Sequence, residues 1–254
     1  LGAARLGFYS MAVRLAELPN WFVAESVAKV TFPGFARMRH RGEAVGPAFL
    51  TALRLVAFVT CPLGILLSGA AEPIALVVFG ERWSGMIGPL GVLGIWAAVK
   101  PVRSTIAWLL NSVGHQAVIG QLALVFLVLL VPSVYAAATL GGLTEVAWVV
   151  LAESVLATVV LALLAQRRVG VAAAGQWRAV APVALACAPA WGACRLAAEA
   201  AGGTVGVVAL GAPLAAGLAA YLLVVVVLEP GLPGYAFEQL KRMVGRSTLP
   251  AAAA

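Results

Sequence analysis

Aspartate is absent from this sequence, so all ten acidic residues are glutamate. Histidine occurs twice, as His40 and His115, and neither stands beside a carboxylate in a catalytic arrangement. Little is left from which to build a general acid–base centre, and the connections between apolar runs are too short to hold one outside them. The three cysteines, Cys61, Cys187 and Cys194, lie inside apolar runs, are odd in number and lack metal-type spacing. A disulfide framework and a zinc site are both excluded, and the thiols read as small packing residues. Charge is scarce as well, at 11% of 254 residues, against 63% apolar and a mean hydropathy of +1.01. A soluble chain of this length carries far more charge.

What is present is a series of about seven apolar runs, each near the roughly 20 residues a helix needs to cross a bilayer. The spacing predicts spans over 4–32, 47–68, 88–112, 117–139, 144–166, 179–200 and 205–228. The segment 72–83 is too short to cross and is expected at the interface. Pro19, Pro62, Pro101 and Pro132 fall within spans, where the missing amide favours kinks. Trp83, Trp96, Trp148 and Trp177 fall mostly near span ends, as interfacial anchoring expects. The fold class expected is all-α, a polytopic membrane helix bundle of about seven transmembrane helices.

Basic residues fix the orientation. Lys29, Arg37, Arg39 and Arg41 in the first connection, Arg167, Arg168 and Arg178 in the fifth, and Lys241, Arg242 and Arg246 in the tail make ten of the 17. The alternating connections hold almost none, so the charge-rich set is expected in the cytoplasm, with the start outside and the tail inside. The net charge of +7 thus orients helices and meets anionic lipid headgroups rather than nucleic acid.

Ionisable residues inside spans are costly and therefore candidates for function. At 100° per residue, Ser10, Arg14, Glu17, Trp21 and Glu25 share one face of the first helix. Arg14 and Glu17 could simply pair locally; a cavity-facing stripe accounts for all five. In the third span Trp96, Lys100, Arg103 and Asn111 lie near one face, with Pro101 between the two charges. Arg54, two turns into the second span, either snorkels or lines the same cavity. Glu153 and Arg195 stand more alone and read as helix-contact or headgroup residues. A wet interior richer in Arg and Lys than in Glu suits an anionic group such as a phosphate, because guanidinium forks match its oxygens.

Several stretches resemble a known family. LGFYSMAVRLAELP (6–19), VAKVTFPGFARM (27–38), TALRLVAFVTCPLGILLSGAAEPIALVVFGERW (51–83) and LLNSVGHQ (109–116) are similar, in that order, to segments of the C-terminal half of polysaccharide and O-antigen flippases. These are the Wzx-type members of the multidrug, oligosaccharidyl-lipid and polysaccharide exporter superfamily. The likeness runs by motif over 1–170 and by pattern of spans beyond. It implies C-terminal lobe helices over 1–170, two additional transmembrane helices over 171–228 and a basic cytoplasmic tail over 229–254. It also implies transbilayer flipping of a lipid-linked oligosaccharide by alternating access in a bacterial inner membrane, with an Arg in the first helix lining the cavity, a role that falls on Arg14. Two features depart from the family pattern: the N-terminal lobe and one helix of the second are expected to be missing from this sequence, and His115 replaces the usual turn Arg.

The resulting expectation is a non-enzymatic fragment of a larger transporter without cofactor or metal. Its partners would be a polyprenyl-diphosphate-linked oligosaccharide, membrane lipids and the missing N-terminal lobe. Arg14, Lys100, Arg103 and Arg54 are the candidates for holding the diphosphate, and Glu17 and Glu25 for tuning or releasing it. Three rivals are weaker. A rhodopsin-like protein needs a lysine in the last span, and 204–228 has none. A membrane-embedded transferase or ligase of lipid-linked sugars lacks a base, and a cation-coupled small-molecule exporter would carry more carboxylates than cations.

Overall fold

The computed structural model describes residues 2–201, 207–231 and 234, and among them there are helices and no strands. A continuous helical stretch opens the chain, made of α1 (Ala3–Pro19), a π turn (Asn20–Ala24) and α2 (Glu25–His40). It continues two turns past the expected end. The expected 100° step also fails across the π turn, where Glu25 N–H donates five residues back to the Asn20 carbonyl. Then come α3 (Gly46–Gly69), a short α4 (Ala71–Pro73) leading into a π turn (Ile74–Phe79), and a 3₁₀ turn (Glu81–Met86). Five long helices follow: α5 (Ile87–Ser112), α6 (Gln116–Leu140), α7 (Leu143–Val169), α8 (Ala173–Ala200) and α9 (Val207–Leu228). Both π turns follow directly on a proline, Pro19 and Pro73.

Six of the described helical segments are long and apolar enough to cross a membrane, the last six spans expected from the sequence. The chain is thus an all-α, multi-pass membrane protein. The first stretch, interrupted by the π turn and carrying Arg14, Glu17, Glu25 and Lys29, is not among the six. The brief 72–83 segment does break into short turns. The basic tail expected over 229–254 lies almost wholly outside the described residues, Glu229 apart.

Helix α5 is the hub. It packs against α3, α7 and α1, while α8 packs against α3 and α9. The α3–α5 crossing is a backbone-to-backbone contact made possible by glycine: a Cβ on Gly64 would lie 2.5 Å from Ala98 N, and one on Gly94 2.5 Å from Ser68 N. Small residues at such crossings let van der Waals packing replace the hydrophobic force that lipid cannot supply. Proline costs are met locally. Pro62 has no N–H to offer the carbonyl of Phe58 one turn back, and the Tyr221 hydroxyl of α9 donates to that carbonyl at 2.8 Å. At the end of α5, Gly114 takes φ +90°, a conformation strained for other residues, and His115 N–H returns to the Leu110 carbonyl. Arg39 of α2 donates to the Val113 carbonyl there, a cation at the negative end of the helix.

Helix α6 differs from the rest. It packs modestly on α7 and slightly on α5, and none of its residues is buried. It is apolar all round, with Leu124, Val128, Val131 and Tyr135 among its exposed side chains.

Candidate functional site

The polar residues of α5 meet two other elements. Lys100 forms an ion pair with Glu17 of α1, and its Nζ stands 4.6 Å from the centroid of the Trp96 ring one turn back. Arg103 Nη1 lies 3.5 Å from Glu153 Oε1 of α7. Between these pairs the Ser104 hydroxyl donates to Asn20 Oδ1 of the π turn at 3.3 Å, and Asn20 is buried. The four ionised side chains retain between 16% and 28% of their exposure. One α5 face therefore meets, within about one turn, two cations of its own and two carboxylates from the helices on either side. Membrane burial of such groups is tolerated because each charge is matched.

The arrangement corrects three readings. Glu17 pairs with Lys100 across helices and not with Arg14 on its own helix. Trp96, grouped with the interfacial tryptophans, is 6% exposed and lies under the Lys100 ammonium. The cation excess expected of the interior is neutralised at its centre, since Lys100 and Arg103 each have a glutamate.

The remaining candidates lie elsewhere. Arg14 and Glu25 are exposed, as are Ser10 and Trp21, and neither charge has an ion-pair partner among the described residues. Arg54 is paired with Glu229, just past the end of α9, so the structure does not bring it to Lys100 or Arg103. Glu153, read as a helix-contact residue, is one, and the contact places it against Arg103. Two participants went unmarked in the sequence: Asn20, next to a proline within a span and one turn beyond Glu17, and Ser104, one turn beyond Lys100. Both stood at helical spacing from a flagged charge, which was the available signal.

Below Arg103 the site opens into a cleft of about 210 Å³ between α5, α6 and α7. Arg103, Ser104 and Asn111 supply its polar lining, and Trp108, Ile119 and Phe126 are among its apolar walls. No group of three or more His, Cys or Glu residues capable of holding a metal occurs among the described residues.

Comparison with known proteins gives the site a context. Residues 1–88 match the model of a family described as polysaccharide biosynthesis protein. The succinoglycan biosynthesis transport protein ExoT of Rhizobium meliloti is 33% identical over 145 residues, 57% of this chain and 29% of that protein. The teichuronic acid biosynthesis protein TuaB of Bacillus subtilis is 29% identical over 149 residues, 59% of this chain and 31% of its own length. The lipopolysaccharide biosynthesis protein WzxC of Escherichia coli is 28% identical over 112 residues, 44% of this chain and 23% of that protein. No solved structure matches the chain. The resemblance to Wzx-type polysaccharide flippases read from the motifs is borne out, and the matches cover less than a third of the length of these relatives.

Proposed function

We propose that this chain is part of a transporter that carries a lipid-linked oligosaccharide or polysaccharide precursor across a bacterial cell membrane, without altering it chemically. The observation that carries the reading is the matched pair of salt bridges on α5. Lys100 and Arg103 sit in the middle of a membrane-length helix, and their counter-ions come from the neighbouring helices α1 and α7 rather than from α5 itself.

A diphosphate is a stronger bidentate partner for a guanidinium than a single carboxylate is. Arg14, exposed and unpaired among the described residues, makes the first contact. The anion then takes Arg103 from Glu153 and Lys100 from Glu17. Each exchange releases a glutamate that tethered α5 to a neighbour, so occupancy of the site and the packing of α1 and α7 on α5 are linked. A ligand shifts a conformational equilibrium only by its differential affinity for the two states, and the broken bridges supply that difference. The π turn that begins at Asn20 and the proline at 101 place weak points between α1 and α2 and within α5 at this level, where alternating access needs bending. The relatives' names supply the glycan; the uncoupling of paired charges by an anion supplies the mechanism.

The test uses the intact transporter in its host. Arg14→Ala, Lys100→Ala and Arg103→Ala should each lower surface polysaccharide at least tenfold and leave lipid-linked precursor on the cytoplasmic side, at unchanged protein level. Arg82→Ala, an exposed residue outside the site, should export normally. Normal export by all three site variants would remove the proposal.

A further inference from the structure

A second cleft lies on the other side of α7, between α3, α5, α7 and α8. It measures about 500 Å³ and is lined almost wholly by apolar atoms, with Leu53, Ile106, Val159, Leu163 and Val180 among its walls. Two features set it apart from a fortuitous gap between helices. Gln176 lines it and is 5% exposed; its Nε2 donates to the Ala162 and Val171 carbonyls, at 3.1 and 3.0 Å, but its Oε1 is buried and accepts nothing. Gln176 thus ties the start of α8 to α7 and to the α7–α8 connection, and holds that wall of the slot in place. Three exposed arginines also gather at the same end. Arg167 lies one turn beyond the lining residue Leu163 on the same face of α7, followed by Arg168, and Arg178 lies one turn beyond the lining residue Ala174 on α8. No acidic residue occurs between Glu153 and Glu199 to neutralise them, and none of the three has an ion-pair partner among the described residues. Trp177, 66% exposed, stands at the rim. Helical side chains lean toward the N-terminus of their helix, which brings the Arg178 guanidinium back toward the α7–α8 connection.

An apolar slot with three exposed arginines, unpaired among the described residues, and an exposed tryptophan close by in sequence has the polarity profile of an anionic phospholipid. We infer that this cleft is a binding site for one anionic phospholipid, for which phosphatidylglycerol is the probe. An acyl chain lies along Val159, Leu163 and Val180, and the phosphodiester beside Arg167, Arg168 and Arg178. The site is separate from the Lys100–Arg103 stripe, and it stands whether or not the chain transports a glycan.

Native mass spectrometry of the full 254-residue chain, released from nanodiscs of equal parts phosphatidylglycerol and phosphatidylcholine, tests it. One phosphatidylglycerol should be retained at least tenfold over phosphatidylcholine. Arg167→Gln/Arg168→Gln/Arg178→Gln should abolish that preference, and the triple Lys variant should keep most of it. Val159→Trp, at a half-exposed wall position, should expel the lipid with the arginines and the helical circular dichroism intact. Equal retention of the two lipids, retention unaltered in the Gln triple variant, or displacement of phosphatidylglycerol by equimolar polyprenyl phosphate would each overturn the assignment.

Discussion

Breaking the Glu17–Lys100 bridge from either end should cost different amounts, and the asymmetry follows from what each partner keeps. At ion-pair contact and an effective dielectric of about 20, the gross attraction is ~4 kcal/mol. The side chains are 17% and 18% exposed, so the pair lies outside the regime in which surface bridges contribute next to nothing. Glu17→Gln leaves Lys100 charged but still over the Trp96 ring at 4.6 Å, an interaction of ~1 kcal/mol when partly desolvated. Lys100→Met leaves Glu17 charged with no other side-chain partner among the described residues. Removing one member of a buried pair costs ~3–5 kcal/mol; with the residual exposure, we expect ~2 kcal/mol for Glu17→Gln and ~3 kcal/mol for Lys100→Met. The double variant has no stranded charge and should lose only ~1–2 kcal/mol, a coupling of several kcal/mol. Reversible unfolding in mixed micelles, followed by helical circular dichroism, measures all three. Additivity of the single effects within about 0.5 kcal/mol, the signature of uncoupled sites, would refute the pairing and with it the tether between α1 and α5.

Three more outcomes follow from the same structure. Gly64→Ala puts a methyl 2.5 Å from Ala98 N and should destabilise by ~2 kcal/mol as the helices part; Gly91→Ala, with nothing within 4 Å, should be neutral or mildly stabilising in the same unfolding assay. Tyr221→Phe strands the Phe58 carbonyl and should cost ~1–2 kcal/mol. Adding Pro62→Ala, which restores an amide one turn on, should recover part of that loss; no recovery would show that the hydroxyl does not serve that carbonyl. Reporter fusions should place residue 42 in the cytoplasm and residue 141 outside, and the reverse pattern would invert the orientation drawn from the arginines.

Most of the spans were readable because hydrocarbon imposes one rule on composition and length at once. The six later helices fall within a few residues of their expected bounds, α8 apart, which begins six residues early because Gln176 and Arg178 dilute its first turns. The opening helix was harder: its π turn follows Pro19 without a periodicity of its own, and Asn20 in it accepts from Ser104 of α5, 84 positions distant. Charges in the spans marked Glu17, Lys100 and Arg103, but their pairing was not legible, since periodicity tells which residues share a face and not which faces meet. The Arg54–Glu229 bridge, closing α3 onto the end of α9, has no local signal at all. The cation surplus was a sum over the sequence, and the structure redistributes it: neutral in the α5 stripe, unpaired at Arg14 and at the α7–α8 connection.

The loose attachment of α6 makes bilayer thickness a variable of the protein. Its 25 residues extend about 37 Å, more than the ~30 Å of a typical hydrocarbon layer, and a helix held chiefly by α7 among the described residues accommodates that excess by leaning. Since α6 forms one wall of the cleft at Arg103, a thinner membrane inclines that wall and a thicker one straightens it. Lipid chain length, by this route, sets the width of the doorway to the charged stripe before any ligand arrives.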